Sequence, residues 1–405
     1  MTGSLERFAV VGVVGAGTMG AGIAQLALEH GHEVVLHDVD PDARGRARAR
    51  IADGLARRVA KRGLADEAAA EATGAMLDRL RDVPTLDELA AGADLVIEAV
   101  LEDLGLKQGV FRALGAAAGR DVPLASNTSA LSIAAIGAGL VRPDRIIGLH
   151  FFNPAPVMPL VEVASTDRTD PDLAGALAAL MTEWGKEPVR CRDVPGFIVN
   201  RVNRPFTLEA LRLLVAGAGS IEAVDAAIVA AGFPMGPFAY MDFVGLDVNL
   251  AASRALFEAF GHARFRPSPI QEALVSAGQL GRKTNRGFYR YGDDGQVLGP
   301  ASRFERPLPG ARSARLDDAA IAERITLAIV NEAFHALGDG VADEPTIDRA
   351  MRLGAAHPEG PFERAARIGM VELAATLDAL AREDEATFRP ALVLLRAVRV
   401  AQLSL

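Results

Sequence analysis

The chain has 405 residues and a mass of 42.5 kDa, room for two or three domains of ~100–200 residues each. Half of the residues are hydrophobic and 23% are charged, a balance that excludes a disordered chain, which lacks the apolar surface to offset its ordering entropy. Lys and Arg number 43 against 52 Asp and Glu, so a nucleic-acid partner recruited by overall positive charge is not expected, and the single cysteine, Cys191, excludes an internal disulfide or a thiolate metal cluster and fits a reducing compartment.

At the N-terminus, Glu6 and Arg7 precede an apolar run with no small-residue cleavage site, so no secretory signal is expected and a cytoplasmic location is. The 21 residues from Phe8 to Leu28 carry no charge, long enough to cross a bilayer. Glycines at 12, 15, 17, 20 and 22 interrupt the run, however, and split its apolar ends. A strand, a tight turn and a helix fit this pattern better than one membrane helix, and no membrane partner is expected.

Short apolar runs then alternate with helix-like segments. Phe8–Val14, Glu33–His37, Leu95–Ala99, Pro123–Ser126, Arg145–Leu149 and Leu160–Val163 read as strands buried on both faces, as in a parallel sheet. Residues 21–30 and 41–62 between them are long enough for crossover helices. The expected fold is an α/β Rossmann-type, doubly wound domain over residues 1–190. From 191 to 295 the pattern is helical, broken at Gly236-Pro237. Residues 291–313 read as a linker, and 315–405 as a second helical domain.

The two helical stretches repeat one another. Arg201 and Glu209 correspond to Arg324 and Glu332, Val224-Asp225 to Ile347-Asp348, the segment 233–238 to 357–362, and Gly245 to Gly369. The constant offset of 123–124 residues points to duplication.

Gly15-Ala16-Gly17-Thr18-Met19-Gly20 is a G-x-G-x-x-G motif set between a strand and a helix. Its first glycine makes the turn, the second admits a pyrophosphate close to backbone, and the third lets helix and strand pack. The helix N-terminus supplies free N–H groups. Asp38 ends the next strand, eighteen residues after Gly20, where a carboxylate accepts both ribose hydroxyls. Asp40 and Asp42 follow it and disfavour a 2′-phosphate, although Arg44 is close; NAD is therefore preferred to NADP. A glycine turn that binds no nucleotide is the alternative, which the context of strand, helix and Asp38 disfavours.

Between Ala43 and Gly63 there are eight bases (Arg44, Arg46, Arg48, Arg50, Arg57, Arg58, Lys61, Arg62) and one acid, Asp53. Arg46, Arg50, Arg57 and Lys61 share a helix face. Such a stripe suits a phosphate-rich handle such as coenzyme A; a solvated charged face is the alternative.

Three further segments carry chemistry. Ser126-Asn127-Thr128-Ser129 follows a strand where ligand-facing loops lie. His150 stands at the end of another strand, and Glu162 is a charge within an apolar one, where a carboxylate needs a partner. Histidine with a carboxylate is the usual arrangement of a general base. Singly, each fits a core histidine, an edge-strand acid or a capping residue equally well.

Together, these segments resemble the L-3-hydroxyacyl-CoA dehydrogenases. The resemblance rests on residues 15–24, 97–103 with Lys107, 126–129, 148–154, 160–163, 196–201, 236–238, 242–247 and 281–289, and it covers nearly the whole chain. It implies an NAD-dependent oxidoreductase of fatty-acid metabolism, as in β-oxidation, with Ser129, His150, Glu162 and Asn200 as catalytic residues. It further implies that Gly15, Gly17, Thr18, Met19, Gly20, Asp38, Glu102, Lys107, Asn127 and Asn153 hold NAD, and that Lys61 and Arg62 hold the CoA of an acyl-CoA substrate, with no metal. Short family members form homodimers through the helical domain; here both a homodimer and a tandem copy that replaces that contact are open, and the second copy lacks a Gly-Phe-Ile-Val-Asn segment. A dehydrogenase of a free hydroxy acid or sugar acid, and a non-catalytic NAD-binding protein, are the competing readings.

Overall fold

The computed structural model describes residues 7–61, 63, 65–306, 308 and 314–403, so Arg62 lies outside the described residues. The chain divides into two compact units, Met1–Phe197 and Ile198–Leu405.

The first unit is built on one eight-stranded sheet. Its strands are β1 (Val10–Val14), β2 (Glu33–His37), β3 (Leu80–Val83), β4 (Leu95–Glu98), β5 (Leu124–Ser126), β6 (Ile146–Phe151), β7 (Leu160–Ser165) and β8 (Glu187–Arg192). Their spatial order is β3-β2-β1-β4-β5-β6-β7-β8. β1 lies parallel between β2 and β4, so the strand order turns outward in both directions from β1, where an open α/β sheet forms its ligand crevice. The central strands β1, β4, β5 and β6 are buried almost throughout, as their apolar runs require.

Two strands escape the apolar-run pattern. β3 (Leu-Arg-Asp-Val) and β8 (Glu-Pro-Val-Arg-Cys-Arg) are the sheet edges, each paired on one side only, and their exposed polar residues make them read as loop. A second departure concerns direction: β7 runs antiparallel to β6. The link between them, residues 152–159, is shorter than the dozen or so residues that a parallel crossover needs. His150 accordingly sits within β6 rather than after it. The first helix, Thr18–Glu29, begins directly after Gly17, and the basic helix is Pro41–Ala60.

The second unit is largely helical, and its two repeated stretches make matching contacts. Asp225 accepts hydrogen bonds from the backbone N–H groups of Phe238 (2.9 Å) and Ala239 (3.0 Å). Asp348 does the same for Phe362 (2.8 Å) and Glu363 (3.0 Å). In each case the acid holds the first turn of a short Gly-Pro helix, Pro237–Val244 or Pro361–Ile368. Each of those helices ends at a glycine with φ near +100°, Gly245 (104°) and Gly369 (93°). The stretch expected to be a linker contains a strand, β10 (Val297–Pro300), which pairs antiparallel with β9 (Tyr289–Tyr291) just before it. Among the described residues, no helix is long and apolar enough to cross a membrane.

Candidate active site

The glycine loop after β1 is shaped by sterics. Gly15 adopts φ +103°, and a Cβ there would lie 2.5 Å from the Ala99 carbonyl oxygen. A Cβ at Gly20 would run into the Gly15 carbonyl. Gly17, by contrast, faces open space, and it caps the Thr18–Glu29 helix without a side-chain hydrogen bond. The first-turn N–H groups therefore face outward beside an uncluttered backbone, a cradle for a pyrophosphate.

Asp38, after β2, braces this loop. Its Oδ2 accepts from the Ala16 N–H at 2.8 Å and its Oδ1 from the Asp40 N–H at 3.0 Å. Arg44 donates to the Asp38 carbonyl at 2.6 Å and lies 3.7 Å from the Asp82 carboxylate, so it is engaged by the protein rather than held free for a 2′-phosphate. The donor and acceptor set therefore fits NAD.

His150 and Glu162 are directly opposed across the β6–β7 ladder. Their side chains meet at 2.6 Å between His150 Nδ1 and Glu162 Oε2, and both residues are buried. A carboxylate only accepts, so Nδ1 carries a proton, and in the neutral ring Nε2 keeps the lone pair. The rings of Phe152 (4.5 Å between centroids) and Phe197 (5.9 Å) flank the imidazole. Phe197 holds a left-handed φ of 46°, which a bulky residue seldom adopts, and is fully buried.

The loop after β5 is tied to the same strand. Asn127 Oδ1 accepts the Phe151 N–H at 2.8 Å. Glu102 Oε1 accepts from Thr128 Oγ1 (2.6 Å), Ser129 N–H (2.9 Å) and Ala130 N–H (3.2 Å), and so sets the course of the loop through exposed Ser129. Lys107 is buried; its Nζ donates to Glu98 at 2.6 Å and stands 3.3 Å from Glu102. Asn153 lines a cavity of about 340 Å³ with Pro154–Val157, Thr18, Gln25, Arg50, Arg57, Arg58 and Lys61. The basic stripe thus divides: Arg50, Arg57, Arg58 and Lys61 face this cavity, whereas Arg46 turns to Asp40 and Arg48 to the Leu80 carbonyl. Asn200 belongs to the second unit, in the Val199–Val202 helix.

Sequence reasoning passed over Glu98, which also accepts from Ser126 Oγ (2.6 Å) and the Val100 N–H (2.7 Å). Its signal is the one that singled out Glu162, a charge in an apolar strand. It also passed over Asp193, which accepts from Ser132 Oγ and the N–H groups of Ile133 and Ala134, each at 2.8 Å.

Residues 10–194 match the profile described as 3-hydroxyacyl-CoA dehydrogenase, NAD binding domain. Residues 196–291 and, separately, 321–404 match that of the 3-hydroxyacyl-CoA dehydrogenase C-terminal domain. The chain is 37% identical to a 3-hydroxyadipyl-CoA dehydrogenase of Escherichia coli, covering 94% of this chain and 95% of that protein. It is 42% identical to a 3-hydroxybutyryl-CoA dehydrogenase of Bradyrhizobium diazoefficiens, over 69% of this chain and 94% of that protein. Among solved structures, a 3-hydroxybutyryl-CoA dehydrogenase from Escherichia coli K12 is similar with a TM-score of 0.83 at 35% identity, covering 97% of this chain and 98% of that one. The sheet with its dinucleotide cradle, the paired histidine and glutamate, and these matches along the whole chain show that it belongs to the 3-hydroxyacyl-CoA dehydrogenase family and is an NAD-dependent oxidoreductase of acyl-CoA metabolism.

Proposed function

We propose that the chain interconverts (S)-3-hydroxyacyl-CoA and 3-ketoacyl-CoA, as in fatty-acid β-oxidation or short-chain acyl-CoA metabolism, with His150 as the general base and acid. The 2.6 Å contact between His150 and Glu162, on a strand tied through Asn127 to the loop carrying Ser129, supports this reading most directly. His150 Nε2 takes the proton of the C3 hydroxyl in oxidation and returns it to the 3-keto oxygen in reduction. Glu162 orients the imidazole and stabilises its protonated form. Ser129 hydrogen-bonds the 3-oxygen, and Asn200 is assigned a catalytic role by the resemblance alone. NAD, held by residues 15–20, Asp38, Glu102, Lys107, Asn127 and Asn153, supplies the hydride acceptor when bound. Phe152 and Phe197 limit water at the imidazole.

Lys61, with Arg50 and Arg57, offers the cavity's positive charge to the phosphates of CoA; Arg62 is assigned to the same role by resemblance only. We read residues 191–295 and 315–405 as duplicated helical domains. Arg201 of the first copy pairs with Glu332 of the second at 2.8 Å, and Arg324 of the second pairs with Glu209 of the first at 2.6 Å. This reciprocal pattern is what an isologous dimer contact would show, so the chain is expected to sediment as a monomer of 42.5 kDa, and a species of twice that mass would overturn this. A cytoplasmic location is consistent with the lone, buried Cys191.

The test of the main reading is NADH oxidation with acetoacetyl-CoA. Wild type turns it over, and His150→Ala loses ~10²–10⁴-fold in kcat. Absence of turnover by wild type, or full turnover by the variant, rejects it.

A further inference from the structure

Lys186 lies between the Pro171–Glu183 helix and β8, and its side chain turns inward. The residue is 6% exposed, and Nζ donates to the carbonyls of Ala155 (2.6 Å) and Met158 (2.8 Å). Both carbonyls belong to residues 152–159, which join the strand of His150 to the strand of Glu162. The loop's own bonds are few: the N–H groups of Val157 and Met158 both donate to the Pro154 carbonyl, at 2.9 and 3.0 Å. Its other face, Asn153–Val157, is one wall of the cavity that Arg50, Arg57 and Lys61 line.

A methionine would bury a similar stem without placing an ammonium in the interior. What the ammonium adds is a pair of charge-assisted bonds to a wall that has no regular secondary structure. We propose that Lys186 is a positioning residue for the acyl-CoA substrate: it holds loop 152–159 in the shape that keeps the basic cavity open to the phosphate-bearing end of CoA, without touching substrate itself. The proposal rests on the functional reading above.

The charged groups that face Lys186 are Arg58, from the Pro41–Ala60 helix, and Glu29, from the Thr18–Glu29 helix, themselves 3.3 Å apart. Burial, followed by the charge of Arg58 and opposed by Glu29, brings the Lys186 ammonium down to about 8. The charge assistance of its two bonds therefore fades in mild alkali.

The test compares kcat/KM for acetoacetyl-CoA with that for acetoacetyl-pantetheine, which lacks the phosphoadenosine portion, in wild type, Lys186→Met and Lys186→Arg. Thermal midpoints are recorded alongside. Wild type prefers the CoA thioester. Lys186→Met is expected to lose about tenfold of that preference through KM, the worth of a charge-assisted hydrogen bond. Its turnover of the pantetheine thioester stays within about twofold of wild type. Lys186→Arg, still a donor to both carbonyls, keeps the preference. The wild-type preference declines above about pH 8, and that of Lys186→Met does not. An equal loss on both thioesters, or an undiminished preference in Lys186→Met, overturns the proposal. If Lys186→Met does not fold, a wild-type preference that stays flat through pH 8 overturns it instead. A wild type that turns over neither thioester, or does not distinguish them, brings down the functional reading and this proposal with it, a failure visible in the wild-type arm alone.

Discussion

At the scale of single residues, the site depends on which nitrogen of His150 is free. Glu162 accepts from Nδ1, and this leaves Nε2 for the base role proposed above. Glu162→Gln presents an amide that no longer selects that tautomer. Its kcat is expected to fall ~10²–10⁴-fold with KM for the thioester little changed, measured by steady-state NADH oxidation. Gly17 offers a second test. A methyl group there meets open space in the protein, so Gly17→Ala keeps the thermal midpoint of wild type. The same methyl stands where a pyrophosphate approaches backbone, so the Kd for NADH, by fluorescence titration, rises more than about tenfold. Gly17 and Glu162 were both legible in the sequence, one from motif spacing and one from a charge in an apolar strand. Glu98 carried the latter signal as well, yet its partners Ser126 and Lys107 are set by β5 and by the Leu104–Ala117 helix, and no local pattern names them.

At the scale of elements, the Glu98–Lys107 pair joins the end of β4 to the Leu104–Ala117 helix. Both side chains are almost wholly buried, at 0% and 1% exposure. Removing one partner leaves a charge in the interior. Lys107→Met is expected to lose about 3–5 kcal/mol in urea unfolding, and Glu98→Gln on that background to recover part of the loss. Recovery of none of it would show that Lys107 acts through packing alone. Strand legibility followed burial. β1, β4, β5 and β6 are interior strands and announce themselves by apolar runs. β3 and β8 are edges whose outward residues face solvent, which removes the pattern that reveals a strand.

At the scale of the whole molecule, two histidines are folded in neutral form. Trp184 Nε1–H donates to His32 Nε2 at 2.8 Å, so that nitrogen must keep its lone pair, while Nδ1–H donates to the Phe8 carbonyl at 2.7 Å. Burial, the largest cause, lowers the His32 pKa from 6.5. His357 packs edge-on against Phe233, with centroids 4.9 Å apart, and contacts Asn203 Oδ1 at 2.9 Å. Burial, then the charge of Arg364, brings it down to about 3. Both pKa values lie below that of the unfolded chain, so the unfolded state binds more protons as pH falls. The stabilisation from each is complete above 6.5 and declines below it. Between pH 6.5 and about 3, His357 alone removes about 1.4 kcal/mol per pH unit. His357→Phe places there the residue that the first helical copy has at Phe233. Its unfolding free energy is expected to fall less steeply with pH than that of wild type, by urea titration at pH 7.5, 6.0 and 5.0; parallel slopes would exclude His357 as a source of acid lability.

The α/β unit followed by helices, the glycine turn and its acidic partner, the internal repeat and the family resemblance are all legible in the linear chain. Each of these is written in spacing along the chain, where glycine sterics and apolar periodicity act locally. The three-dimensional fold alone sets β7 antiparallel to β6 and so Glu162 opposite His150. It also decided that the arginine stripe divides between cavity and protein, that Lys107 pairs with Glu98, and that Lys186 holds the loop of residues 152–159. These are meetings of side chains distant in sequence, and they depend on sheet register and the packing of layers, which no single segment encodes.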